Sequence, residues 1–98
     1  MDVQFADATL DRLETDSTFN AEYSSEIVRA FRKRMQLIRA ASDERTFYGL
    51  KSLHFEKLKG KRDHQRSMRL NSQWRLILEF RVSESGKVVV VVSIEDYH

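Results

Sequence analysis

The sequence has no cysteine, no proline, three glycines and one tryptophan. Each shortage excludes something. Without cysteine there is no disulfide and no thiolate-held metal or cluster, so the fold must rest on packing. Without proline nothing interrupts a helix or strand by that route, and turns fall to Gly, Asn, Ser and Asp. No run approaches the roughly 20 apolar residues of a membrane-spanning helix. No basic segment leading into an apolar one opens the sequence, so no secretion signal is seen, and a reducing cytoplasm is compatible with the lack of cysteine. The nucleotide-binding patterns GxxxxGK[ST] and GxGxxG are missing, as is the GxSxG hydrolase elbow. The three histidines, at 54, 64 and 98, lack the i, i+4 spacing of a helical zinc pair. We therefore expect neither a metal nor a cofactor.

What is present suits one α+β domain spanning residues 1–98. Of 98 residues 41% are hydrophobic and 33% charged, an ordinary balance for a folded chain with a single core. The net charge of +2 hides an asymmetry. Residues 1–26 hold seven carboxylates against Arg12 alone, while the remainder holds sixteen basic and eight acidic residues. An acidic head on a basic body points to a polyanionic partner for the body.

Hydrophobic spacing predicts the elements. Residues 3–6 read as a short first strand, and DATLDRLET as a short helix with Asp7 as its N-cap. Over residues 21–41, Ile27, Val28, Phe31, Met35 and Ile38 form a stripe of helical period. The period then changes to two. Strands are expected at 65–70, 74–82 and 87–94, joined by NSQ and SESG turns into an antiparallel meander. Trp74, Leu76, Leu78 and Phe80 should face the long helix, leaving Arg75 on the opposite, partly open face.

Three places carry possible chemistry. The stretch EKLKGKRDHQRSMR supplies Lys57, Lys59, Lys61, Arg62, Arg66 and Arg69, with Gly60 allowing a tight turn. It reads as a phosphate-binding surface or as a solvated edge. Arg75 is placed to stabilise charge developing on a phosphate, or to pair with a cross-strand carboxylate such as Glu79 or Glu95. The last three residues, Asp96, Tyr97 and His98, offer proton transfer and stacking, or are a polar chain end. His54, beside Phe55, reads first as a structural residue.

Taken together, LKGKRDHQRSMRLNSQWRLILEF, the valine strand and the final EDYH resemble the HigB group of the RelE/ParE toxin superfamily. The pattern is a Leu-x-Gly-x-Arg segment (Leu58, Gly60, Arg62), a strand beginning Gln73-Trp74-Arg75, and the ending Asp96-Tyr97-His98. It covers residues 50–98 well; the first half matches only in its helix–helix layout. The resemblance implies a RelE-like fold, two N-terminal helices on one face of a small, mainly antiparallel sheet. It implies the toxin of a bacterial type II toxin–antitoxin system, a metal-independent endoribonuclease that cuts messenger RNA in the ribosomal A site. The partners would be the ribosome, the message and a HigA-type helix-turn-helix antitoxin, with operator DNA reached only through the antitoxin. Arg75 would stabilise the phosphorane, Lys59 would contact phosphate, and the tail would move protons. Several members place a histidine where this chain has Glu56, so Glu56, Asp96 and His98 all stand as candidates for the general base. A RelE-like protein that binds RNA, ribosome or antitoxin without cutting is the alternative.

Overall fold

The computed structural model describes residues 1–96; Tyr97 and His98 lie outside the described residues. Strand β1 (Asp2–Phe5) leads into helix α1 (Ala8–Thr15), then α2 (Ser25–Ala40) and the short α3 (Arg45–Tyr48). Strands β2 (Glu56–Lys57), β3 (Gln65–Arg69), β4 (Trp74–Ser83) and β5 (Gly86–Asp96) follow, with 3₁₀ turns at Lys51–Leu53 and Gly60–Arg62. The sheet order is β1-β5-β4-β3-β2. β1 runs parallel to β5; every other pair is antiparallel. This is the α+β arrangement expected, with the meander in place.

Local chemistry explains the helices. The Asp7 carboxylate accepts from Thr9 N at 2.8 Å and starts α1; the Ser24 hydroxyl accepts from Ile27 N and starts α2. α2 begins at Ser25 rather than at residue 21 of the expected segment, because Ala21 and Glu22 turn the chain with φ of 52° and 66°. α1 has no C-terminal glycine. Instead Arg32, reaching from α2, donates to the carbonyls of Leu13, Asp16 and Phe19. Arg39 grips Glu14 through two bonds of 2.7 Å and ties the helices together a second time.

The core lies between the helices and one face of the sheet. Phe31, Met35 and Ile38 of α2 meet Met68, Leu76, Leu78, Val89 and Val91 with no solvent exposure. Each such side chain contributes about 1.5–3 kcal/mol by leaving water. Tyr23 meets Trp74 edge-on at 6.0 Å and closes one end.

One irregularity positions everything on the far face. β4 pairs Ile77 with Ser93 but Leu78 with Val91, so Val92 is an extra residue in β5. Simple alternation from Val89 and Val91 would send Ser93 and Glu95 into the core. The bulge reverses the phase. Ile94 turns inward, and Ser93 and Glu95 join Arg75 and Ile77 on the face the helices leave open.

Candidate active site on the open face of the sheet

Three rows of side chains cross that face. The first is Arg69–Arg75–Glu95, on β3, β4 and β5. The second is Glu56–Ser67–Ile77–Ser93, and the third is Gln65–Glu79–Val90. The first row sets two guanidinium-bearing residues directly opposite one another. Like charges in that relation repel, and an anion placed between them relieves the repulsion.

His54 organises this row. Its backbone is left-handed, at φ 45° and ψ 48°, which a residue with a Cβ adopts at a cost. In that conformation its carbonyl accepts from Arg75 Nη1 at 3.2 Å, while its Nε2 lies 3.1 Å from Arg69 Nη1. Arginine has only donors, so Nε2 accepts and the ring proton sits on Nδ1. Arg69 also donates to the Asn71 carbonyl. One strained residue thus holds both arginines. Apart from the histidine itself nothing local announces this, because a left-handed non-glycine leaves no sequence signature.

Glu95 faces the same row but is held from elsewhere. Both its oxygens accept from Arg62, at 2.9 and 2.8 Å, and the Ser93 hydroxyl donates to it at 2.7 Å. The Arg62 hydrogen bond, aided by Ser93, holds the Glu95 carboxyl below the ordinary glutamate range against a smaller effect of burial. Arg62 Nε donates to Gln65, and Gln65 donates to Glu79. That hydrogen bond, with Arg81 and His64 nearby, lowers the Glu79 carboxyl as well.

The remaining candidates separate. Glu56 sits at the edge of the second row, beside Ser67. Lys59 and Lys61 are exposed around the Gly60–Arg62 turn, where Gly60 has φ 66°. Lys57 and Arg66 share the row of Leu78, so they belong to the other side of the sheet. Arg66 donates there to the carbonyls of Asp63 and Gln65. Asp96, the first residue of the expected tail, pairs with Trp74 at the end of β5 and accepts from Gln73 at 3.1 Å. Tyr97 and His98 lie beyond the described residues. Among the described residues no three His, Cys, Asp or Glu side chains gather as a metal-ligand set.

Two hollows of about 250 and 340 Å³ lie along α2, lined by Tyr23 and Arg32 in one case and by Lys33 and Arg34 in the other. Neither touches the arginine row. A flat face with paired arginines suits a polymer presented from outside, which needs no enclosed pocket.

The comparisons with known proteins agree with this architecture. Residues 3–98 match the family described as the RelE-like toxin of type II toxin–antitoxin system HigB. Among solved structures, a YoeB/ParE toxin from Agrobacterium tumefaciens is similar with a TM-score of 0.64 at 19% identity, over 100% of both chains. The YoeB–YefM complex from Staphylococcus aureus gives 0.57 at 17%, over 100% of this chain and 97% of that one. YafQ from E. coli strain BL21(DE3) gives 0.57 at 11%, over 97% and 91%. Among curated protein sequences none matches. Likeness at such identities speaks for the fold; the family match speaks for the kind of protein. No helix among the described residues is long and apolar enough to cross a membrane.

Proposed function

Because the chain belongs to the HigB-like family, the RelE-like toxins of type II toxin–antitoxin systems, we propose that it is a ribosome-dependent endoribonuclease. It cuts messenger RNA in the ribosomal A site and so stops translation and growth. The observation that supports this reading best is the row Arg69–Arg75, two arginines braced by one strained histidine on an open sheet face.

The reaction needs few groups. A ribose 2′-OH attacks the adjacent phosphorus and gives its proton to a base. Glu56, Asp96 and His98 are the candidates for that base. The phosphorane gains negative charge, which the Arg75 guanidinium meets, with Arg69 alongside. The 5′-oxygen then leaves and takes up a proton, giving a 2′,3′-cyclic phosphate and a 5′-OH end. Lys59, Lys61 and Arg62 line the approach of the RNA backbone, and Tyr97 offers a ring for a base or a hydroxyl for the phosphate. The ribosome supplies the alignment of 2′-OH and phosphorus that a free strand lacks.

The partners follow from the family. A HigA-type helix-turn-helix antitoxin would neutralise the protein and carry it to operator DNA. The YoeB–YefM complex shows a similar toxin fold in a complex of its own. The setting would be the bacterial cytoplasm, where ribosomes and messages meet.

A translating extract with one defined message tests the reading, with cut sites mapped by primer extension. The native chain should cut only when ribosomes are present. Arg75→Ala and a chain ending at Asp96 should not cut. Intact message with translation still blocked would replace the enzyme by a RelE-like binder of RNA or ribosome.

A further inference from the structure

We infer that Glu95 is a built-in competitor for RNA: its carboxylate occupies Arg62 in the free protein, and a backbone phosphate must displace it. The inference rests on reading the open face as an RNA site, and it goes beyond that reading by giving the site a resting occupant.

Three observations carry it. Arg62 lies in the turn after β2, while Glu95 lies on β5, two strands beyond β3. Arg62 touches Gln65 with Nε and Glu95 with both terminal nitrogens. Gln65 belongs to the third row and Glu95 to the first, so the guanidinium spans the second row between them. It is a strap laid diagonally over the sheet.

The burial beneath agrees. Ile77 is on the face without helices, yet it is only 3% exposed, and Ser67 is 0% exposed. Both belong to the row that the strap crosses. The Ser67 hydroxyl is fully buried there and has no hydrogen-bond partner among the described residues. A buried hydroxyl left in that state is costly and unusual. Displacing the strap uncovers it, and a phosphate oxygen arriving in place of the carboxylate gives it a partner.

The chemistry of exchange is direct. A carboxylate and a phosphate both present two oxygens to the arginine fork in the same bidentate geometry. The pair is half in solvent, with side chains 46% and 37% exposed, so its strength is limited and exchange is feasible. A freely diffusing strand must compete with Glu95 at its own low concentration. A strand fixed by the ribosome competes at a high effective concentration. Glu95 therefore discriminates against free RNA, and it does so without touching the reacting atoms. It is a positioning residue that acts through Arg62.

The test uses the full chain and a fluorescein-labelled single-stranded RNA of about ten nucleotides. Every ribose is 2′-O-methylated, so binding is read without cleavage, by anisotropy at one fixed ionic strength. Glu95→Gln should bind roughly three- to tenfold tighter, the range set by losing one partly exposed charged pair. Glu95→Asp, too short to reach Arg62 but still charged, should gain in the same direction. The gain must vanish when Arg62→Gln is added, while Glu84→Gln, a charge removed far off in the β4–β5 turn, should stay near native. Thermal unfolding confirms that each variant is folded. Unchanged affinity in Glu95→Gln, no binding by any variant, or a gain that survives in the Arg62→Gln background would each overturn the competitor. Ribosomal cleavage is scored separately. A chain that cuts message but shows no Arg62-dependent gain keeps the enzyme and loses the competitor; the reverse result keeps the competitor and loses the enzyme.

Discussion

On one face of the sheet, Met68, Leu76, Leu78, Val89 and Val91 pack with the helices and have no solvent exposure. On the other, the same strands carry Arg69, Arg75, Glu79 and Glu95 in a web of charged hydrogen bonds. The pleat of a strand is what separates them: neighbours in sequence are assigned to opposite tasks. The first face supplies stability through contacts that water cannot replace. The second stores charge in arrangements that water or an anion can exchange. Changes to the two faces should therefore be separable.

The largest expected effect is on the covered face. Phe31→Ala removes a fully buried ring and should cost about 3–5 kcal/mol in denaturant unfolding. Cleavage per folded molecule should hold. The opposite pattern is expected of Arg75→Ala. Cleavage should fall by about 100-fold or more, the scale of losing one donor to a transition-state oxyanion. Its stability should stay within about 0.5 kcal/mol of native. If Arg75→Ala unfolds the protein, or Phe31→Ala abolishes the proposed cleavage in molecules that remain folded, the two faces are not independent.

Acid should act on the charged surface and not on the core. Arg45 holds the Asp43 carboxyl at about 2, and Asp16, Glu79 and Glu95 also lie below their ordinary values. Carboxylates depressed on folding contribute stability that is fully present above their unfolded values, near 3.8 for Asp and 4.5 for Glu. That stability is lost as pH falls through the folded values. The thermal midpoint should drop between about pH 4.5 and 2, less steeply in high salt. Phe31→Ala should lower the whole profile, whereas Glu95→Gln should flatten its acid limb. The smallest effect is Ser67→Ala. Deleting an unpartnered buried hydroxyl should stabilise the fold by up to about 1 kcal/mol, and a loss instead would mean that the oxygen has a partner.

Much of the covered face was legible in the sequence, because periodicity records burial. The stripe from Ile27 to Ile38 and the alternation from Trp74 to Phe80 both mark residues that meet the core. The open face was legible only in part. Arg75 could be placed there from alternation alone. Glu95 could not, since five consecutive valines carry no phase and conceal the bulge at Val92. The two residues of β2 are both exposed, so no pattern announces that strand. α3 is one turn long, too short for a period to show. Arg62 and Glu95 are 33 positions apart, and nothing local connects them. Of the tail assigned to proton transfer, Asp96 is described at the end of β5, while Tyr97 and His98 fall outside the described residues, so their part in the site rests on the family pattern.

The place of β5 has a consequence for how the sheet closes. It is the last of the described strands in chain order, yet it lies between β1, the first, and β4. Until it is in place, β1 has no neighbour to join, and the row that ends in Glu95 is incomplete. Joining β1 to β5 closes the sheet over a long sequence distance, which is slow by nature. Without β5 the Arg69–Arg75 pair of β3 and β4 keeps its place but loses the Glu95 end of its row, so the resting occupant proposed for Arg62 arrives only with that strand.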